Sequence, residues 1–372
     1  MNRATSIYLD LVRLLAAVAV LLTHLAYPRF SGGLLLPLRT YGNDAVMVFF
    51  VLSGYVIAYT AATRDLDVRT YLLNRCARLY SVAVPAIVLT IVLDQAGRLL
   101  DPDLYNGFWY QHEQPFWRVL TALTFTNELW FKSWRLFTNG PYWSLGYEFW
   151  YYCLFAAAWY FKGAWRWGLM IAGCLLVGPK VLLLFPIWLL GVWVYRVNLR
   201  GNVSATLGTL LFVGSILAYI AFRASGMRDA LLEWSHLQWG RHFVEHSLRW
   251  SNEFVGSYFL GPLVAANFIG CQAISNSLAP WLERIAPIVR DWAGYTFSIY
   301  LFHYPLLQFL GATGLFDPKS PWAITALFAL TLLGCRVIGN YSEKRKEGAR
   351  ALLEKITGIR KPTLTGQPTT TS

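Results

Sequence analysis

Two ionisable residues, Arg13 and His24, lie inside an apolar run, Ile7 to Tyr27, that is long enough to cross a bilayer. A charged side chain at hydrocarbon depth costs about 2.5–3.5 kcal/mol even on the gentlest insertion scale, so residues of this kind serve a pathway or a reaction centre. In a helix, the step from Arg13 to His24 turns about 1,100°, close to three full turns, and rises about 16 Å. The two side chains therefore share one face at different depths. Asp10, three residues before Arg13, falls on nearly the same face and is a ready ion-pair partner.

The rest of the chain agrees with a membrane setting. Its 372 residues are 56% hydrophobic and 14% charged, against about 25% charged in soluble domains, so they carry more apolar surface than one globular core can hide. We expect an all-α, polytopic membrane protein. Aromatic residues such as Trp109, Tyr110, Trp143, Trp165, Trp193 and Trp322 fall at the ends of apolar runs, where interfacial rings belong. The five cysteines have no CxxC spacing, which indicates neither a disulfide framework nor a metal site. The net charge of +12 is explained by membrane topology and does not call for nucleic acid. Leu14 to Leu22 resembles the apolar core of a secretory signal, but residues 23–28 offer no small-residue cleavage site, so we read a retained helix.

Hydropathy predicts about ten spans, at 7–27, 43–61, 79–97, 141–161, 167–178, 180–195, 204–222, 254–272, 292–311 and 321–340. The fifth and sixth are short and separated by Gly178-Pro179, which suits a broken pair or a re-entrant feature. With a cytoplasmic amino terminus the inner segments carry 19 of the 32 Lys and Arg, so the positive-inside rule places both termini in the cytoplasm of a multi-pass inner-membrane protein. Residues 1–342 then form the membrane domain and 343–372 a basic cytoplasmic tail, disordered from Arg360. Pro115 to Trp134, interrupted by Arg118, Glu128 and Lys132, reads as an interfacial or re-entrant helix. His236, His242 and His246 lie in the long segment 223–253, which we read as a surface loop; no acidic or thiol cluster completes a metal site there.

Several polar residues fall where they can meet. On this topology Asp44 enters the second span at the depth of His24, with Ser53 and Tyr55 deeper. A carboxylate beside His24 would orient the ring as a general base; alternatively Asp44 only caps its own helix, beside Asn43. Glu148, one turn past Ser144 in the run that opens Pro141-Tyr142-Trp143, must pair with a cation or stay protonated. That suits acid/base work or a structural ion pair. His303 falls near mid-span, as a core or a functional histidine. Arg75 and Arg78, three apart at a helix entry, suit bidentate phosphate recognition, although spacing alone favours simple positive-inside anchors.

Together these stretches resemble the acyltransferase-3 family of integral membrane O-acyltransferases. The likeness rests on Arg13 and His24 with ten residues between, on Phe49-Phe50-Val51-Leu52-Ser53-Gly54-Tyr55, on Arg75/Arg78, on Trp143-Ser144-Leu145 followed by Glu148, and on Tyr300-Leu301-Phe302-His303-Tyr304-Pro305. It implies an acyl-CoA donor, usually acetyl-CoA, bound from the cytoplasm, and a hydroxyl acceptor on a glycan or small molecule. Arg75 and Arg78 then become donor-phosphate ligands, with Arg13 guiding the donor inward. His24 either deprotonates the acceptor or carries the acyl group briefly. Ser53, Tyr55, Trp143, Ser144 and His303 line the site, and Asp44 and Glu148 join His24 in the chemistry. The chain departs from the family pattern at Gly146-Tyr147 before a single Glu148, and at Glu343-Lys344-Arg345 where many members have Glu-Lys-Pro.

Two other classes compete. A lipid-linked sugar glycosyltransferase needs acids in its first outer loop, and residues 28–42 have none. A transporter or flippase of a glycan or small molecule is favoured by the intramembrane charges and the Gly178-Pro179 break, and opposed by the lack of an internal repeat.

Overall fold

The computed structural model describes residues 2–358, which form helices joined by turns and loops, with no strand among them beyond two isolated bridges, Gln111 with Phe137 and Leu136 with Asn139. The helices are α1 (Arg3–Leu25), α2 (Gly42–Thr63), α3 (Val68–Leu100), α4 (Pro115–Leu123), α5 (Trp143–Tyr160), α6 (Gly163–Val177), α7 (Pro179–Arg200), α8 (Ala205–Ala224), α9 (Met227–Trp239), α10 (Phe254–Ala273), α11 (Ser275–Ala293), α12 (Thr296–Ala312), α13 (Pro321–Tyr341) and α14 (Lys346–Thr357). Local sequence sets many of their ends. Asn2, Asp67, Ser204 and Ser320 each accept a backbone N–H three residues on, and Pro115, Pro179 and Pro321 occupy first-turn positions where no N–H is needed. Gly178, at φ 79°, separates α6 from α7, so Gly178-Pro179 joins two distinct helices.

Among the described residues, seven segments contain helices long and apolar enough to cross a membrane, three fewer than the ten spans hydropathy suggests. The difference lies in α5, α6 and α12. Helix α6 has only 15 residues, and α12 has 17 and carries Ser298, His303 and Gln308, all buried. Helix α5 holds Ser144 and Glu148 inside the bundle. Such polar helices are tolerated because neighbours, not lipid, surround their polar faces.

Helix α12 is the axis of the fold, packed by α1, α3 and α13. Helix α2 lies against α1, α7 and α10. Its crossing with α7 is made by glycine: a Cβ on Gly54 would stand 2.0 Å from the Trp188 carbonyl oxygen, and one on Gly191 would stand 1.9 Å from that of Val51. Two backbones meet there, as at the small-residue contacts common between membrane helices. The contact also brings Trp188 Nε1 within 3.2 Å of Ser53 Oγ, on which it donates.

Residues 115–134 are not one helix. Only Pro115–Leu123 is helical; Asn127 and Glu128 then turn inward and are buried. Glu128 takes a 2.6 Å ion pair from Lys180, both side chains almost fully enclosed, and also accepts from Ser133 at 2.8 Å. The charges that interrupt the apolar run thus pin the loop to α7 and break the helix. Segment 223–253 likewise differs from a surface loop, forming α9, a π-turn at Phe243–Leu248 and a short 3-10 turn at Arg249–Ser251. Of the residues assigned to the tail, α14 packs on α3, and the part from Arg360 lies outside the described residues.

Asn139 shows how the loop holds the axis. Pro305 has no N–H, so the Leu301 carbonyl four residues earlier lacks its helical partner; Asn139 Nδ2 donates to it at 3.0 Å, and to Thr90 Oγ1 at 3.1 Å. Replacing Asn139 by Leu strands that carbonyl and is expected to cost about 1–3 kcal/mol, read as a lower melting temperature of the detergent-solubilised protein.

Candidate active site

The histidines of α1 and α12 meet. His303 Nδ1 lies 2.8 Å from the Ile299 carbonyl, and His303 Nε2 lies 3.0 Å from His24 Nδ1, which is also 2.9 Å from the Val20 carbonyl. A carbonyl only accepts, so His303 carries its proton on Nδ1 and offers a lone pair at Nε2. His24 must then donate from Nδ1, to His303 and to Val20. That leaves His24 Nε2 as a free lone pair on the ring edge beyond Nδ1, with no hydrogen-bond partner among the described residues. Two carbonyls thus dictate one tautomer. The rings of Tyr27 and Tyr304 hold His24 edge-on, at 5.6 and 4.8 Å between centroids.

His24 lines a cavity of about 440 Å³ near the carboxyl end of α1, called the outer cavity after the topology expected from the charge distribution. Its other walls come from the turn before α2, the loop 108–143 and the segment 228–253, which supply Arg39, Arg135, Trp143, Arg249 and Trp250 among others. Trp143 and Trp250 are stacked, 5.4 Å apart and within 3° of parallel. Sequence reasoning found Trp143 but missed Arg135, Arg249 and Trp250, because they stand on irregular segments where no periodicity marks an inward face.

A second, smaller cavity of about 60 Å³ lies toward the amino-terminal end of α1, and collects Arg13, Ser53, Arg75, Arg78, Ser144 and Glu148. Arg13 donates to Asp10 at 3.1 Å, the ion pair expected from their spacing, and to the Ala293 carbonyl at 2.9 Å. Arg75 pairs with Asp65 at 3.0 Å. Arg78 lies over the Phe297 ring with no carboxylate at ion-pair distance among the described residues. Glu148 pairs with no cation; it accepts from Ser53 at 2.8 Å and from the Tyr152 hydroxyl. Val46 and Tyr300 line both cavities and form the wall between them.

Glu343, where the chain departs from the family's Glu-Lys-Pro, accepts from Ser298 N and Oγ, each at 2.9 Å, and so ties the start of α12 in place.

Two residues expected at the site, Asp44 beside His24 and Tyr55 along its lining, are elsewhere. Asp44 is one helical step past Asn43; Asn43 faces the outer cavity, while Asp44 turns toward α8, where it accepts from Tyr219 at 2.9 Å and pairs with Arg223 at 3.3 Å. It therefore neither orients His24 nor caps α2. Tyr55 faces α7 instead of a cavity, with its ring 6.0 Å from Tyr195. Glu148 sits on the far side of Tyr300 from His24, in the arginine-lined cavity. Among the described residues no group of three His, Cys, Asp or Glu side chains gathers as metal ligands; His236 is held between Glu233 and Glu245.

These features define an integral membrane protein with a histidine-centred polar site inside a helical bundle. The chain belongs to the acyltransferase-3 family, whose acyltransferase domain matches residues 6–339. It is similar to the acyltransferase MdmB of Streptomyces mycarofaciens, 31% identical over 156 residues that cover 40% of this chain and 38% of the relative. No solved structure matches the chain.

The buried Lys180–Glu128 pair pins the loop after α4 to α7, so Lys180→Met strands a carboxylate in an apolar site. We expect a loss of about 3–5 kcal/mol in that variant. Glu128→Leu with Lys180→Met should recover most of the melting temperature, because it removes both charges.

Proposed function

We propose that the protein is an O-acyltransferase that moves an acyl group, acetyl in the simplest case, from acyl-CoA to a hydroxyl of a cell-surface or lipid-linked glycan. The observation that carries this reading is that His24, a lining residue of the larger cavity, has its Nδ1–H donated and its Nε2 without a hydrogen-bond partner among the described residues. His24 Nε2 takes the proton of the acceptor hydroxyl as its oxygen bonds to the thioester carbonyl carbon. The carbon–sulfur bond then breaks, and the proton passes to the departing thiolate. His303 receives the Nδ1–H bond and steadies the imidazolium that forms.

The donor enters from the amino-terminal side, which we assign to the cytoplasm of the inner membrane, and both termini lie there. Arg13, Arg75 and Arg78 supply guanidinium groups to its phosphates. The rise of about 16 Å between Arg13 and His24 matches the reach of an extended pantetheine arm. On the way the thioester must pass Val46 and Tyr300, so these side chains rotate aside when the donor binds. Glu148, with Ser53 and Tyr152, flanks that path on the donor side and orients the arm.

His24→Ala is expected to lower release of coenzyme A from acetyl-CoA by about 10²–10⁴-fold without weakening coenzyme A binding. His303→Gln, whose amide oxygen can still accept from Nδ1, should retain more rate than His303→Leu; equal loss in the two would remove His303 from the proton network. Arg75→Ala with Arg78→Ala should weaken coenzyme A binding in a folded protein. Val46→Phe should leave that affinity intact while cutting turnover at least tenfold, measured by thiol release.

A further inference from the structure

The outer cavity carries more positive charge than its own acids neutralise. Arg228 is matched by Glu253, and Glu245 is engaged by His236 and Asn252. Arg39, Arg135 and Arg249 have no carboxylate at ion-pair distance among the described residues. Arg135 is the one nearest the chemistry. Its guanidinium carbon stands 5.8 Å from the Tyr304 ring and 6.0 Å from the Trp250 ring, and its Nε is buried with no hydrogen-bond partner. A guanidinium with an idle, buried donor beside a cavity wall is a planar anion receptor waiting for its ligand.

Aromatic walls narrow the class of that ligand. Trp143 and Trp250, stacked on each other, line the cavity next to these cations and offer it an indole face, with Asn43, Gln111, Ser133 and Asn252 also lining it. A pyranose lays its C–H face on such a surface while its hydroxyls reach polar groups around the edge, as in sites where apolar walls position a ligand and a few polar groups orient it. On the acyl-transfer reading the donor nucleotide is assigned to Arg13, Arg75 and Arg78 across the Val46–Tyr300 wall, which leaves this cavity to the acceptor.

We propose that the outer cavity is an acceptor subsite for an anionic sugar, a ring that bears a carboxylate or a phosphate as well as the hydroxyl to be acylated. The inference rests on the acyl-transfer reading above and names the acceptor class. Arg135 and Arg249 bind the oxyanion, the indole pair supports the ring, and the free hydroxyl faces His24 Nε2.

The test is a tryptophan-fluorescence titration of the purified full-length protein in detergent, with glucuronic acid, glucose 1-phosphate and methyl glucoside as probes. At least one charged sugar should bind tenfold or more tightly than methyl glucoside, and the preference should shrink at high salt. The two charged probes separate a carboxylate from a phosphate ligand. Arg135→Gln and Arg249→Gln should each reduce the preference severalfold without changing methyl glucoside binding, and Arg135→Lys should retain part of it. Arg249 is exposed, so its variant keeps the test decisive if Arg135→Gln fails to fold. Equal binding of charged and neutral sugars overturns the proposal, as does displacement of the charged sugar by coenzyme A. Thiol release is followed in parallel. His24-dependent release without charge preference sinks the subsite alone, whereas charge preference without His24-dependent release sinks the acyl-transfer reading and leaves the anion site standing.

Discussion

A hydrogen bond between two imidazoles, His24 on α1 and His303 on α12, is the contact around which this bundle is organised. Where water is scarce, each ring nitrogen needs a defined partner, and an unpaired one costs far more than at a surface. The pair meets that demand by chaining Ile299, His303, His24 and Val20 into one ordered sequence of donors and acceptors. Such a chain tolerates little sliding, since a shift of one residue would turn either ring about 100° away. Helix α12 is accordingly fastened just ahead of His303: Glu343 holds its first turn, and Asn139 satisfies the Leu301 carbonyl that Pro305 leaves without a helical partner.

From this contact follows the division of the polar interior in two. Tyr300 is one helical turn before His303 on α12, and with Val46 of α2 it separates the arginines of one cavity from the imidazole of the other. Tyr300 is itself held by an edge contact with Phe49, at 5.5 Å between ring centroids. Positive charge therefore sits on both sides of an aromatic wall while His24 stands on one side only. In a low-dielectric interior such separated charges act strongly on whatever anions enter. A phosphate-bearing donor and an anionic acceptor would each be drawn to its own end, with the reacting atoms meeting at the wall.

Much of this site was legible from spacing, and the reasons for the exceptions are physical. Arg13 and His24 could be paired because one regular helix carries both, and each of them lines a polar cavity. Arg75, Arg78, Ser53, Ser144 and Glu148 were each visible as polar residues in or beside apolar runs, and they converge on one cavity. Asp44 misled because depth was inferred without rotation. It does enter near the level of His24, but a single residue step of about 100° separates it from Asn43, and Arg223 and Tyr219 on α8 offer it partners that sequence could not show. Arg135 and Trp250 escaped notice for a different reason. They belong to segments whose shape depends on tertiary contacts, where neither the 3.6-residue nor the 2-residue period applies.

Those irregular segments are rigid all the same, and this bears on how the outer cavity works. Phe125, Trp130 and Phe137 adopt φ values of 54°, 54° and 49°, a region that large side chains enter only when the surroundings compel it. The compulsion is visible: the Phe125 carbonyl accepts from Trp150 Nε1 at 2.9 Å, Trp130 N donates to the Val177 carbonyl at 2.8 Å, and Trp134 N donates to that of Asn127 at 2.8 Å. Asp94 receives both the backbone N–H and the hydroxyl of Thr138, at 3.0 and 2.6 Å. Arg135 is thus carried on backbone held from both sides, and its guanidinium is set before any ligand arrives. A receptor fixed in advance loses little conformational entropy on binding, so the strain stored in this loop is best understood as the cost of presenting a cation beside His24 in one geometry.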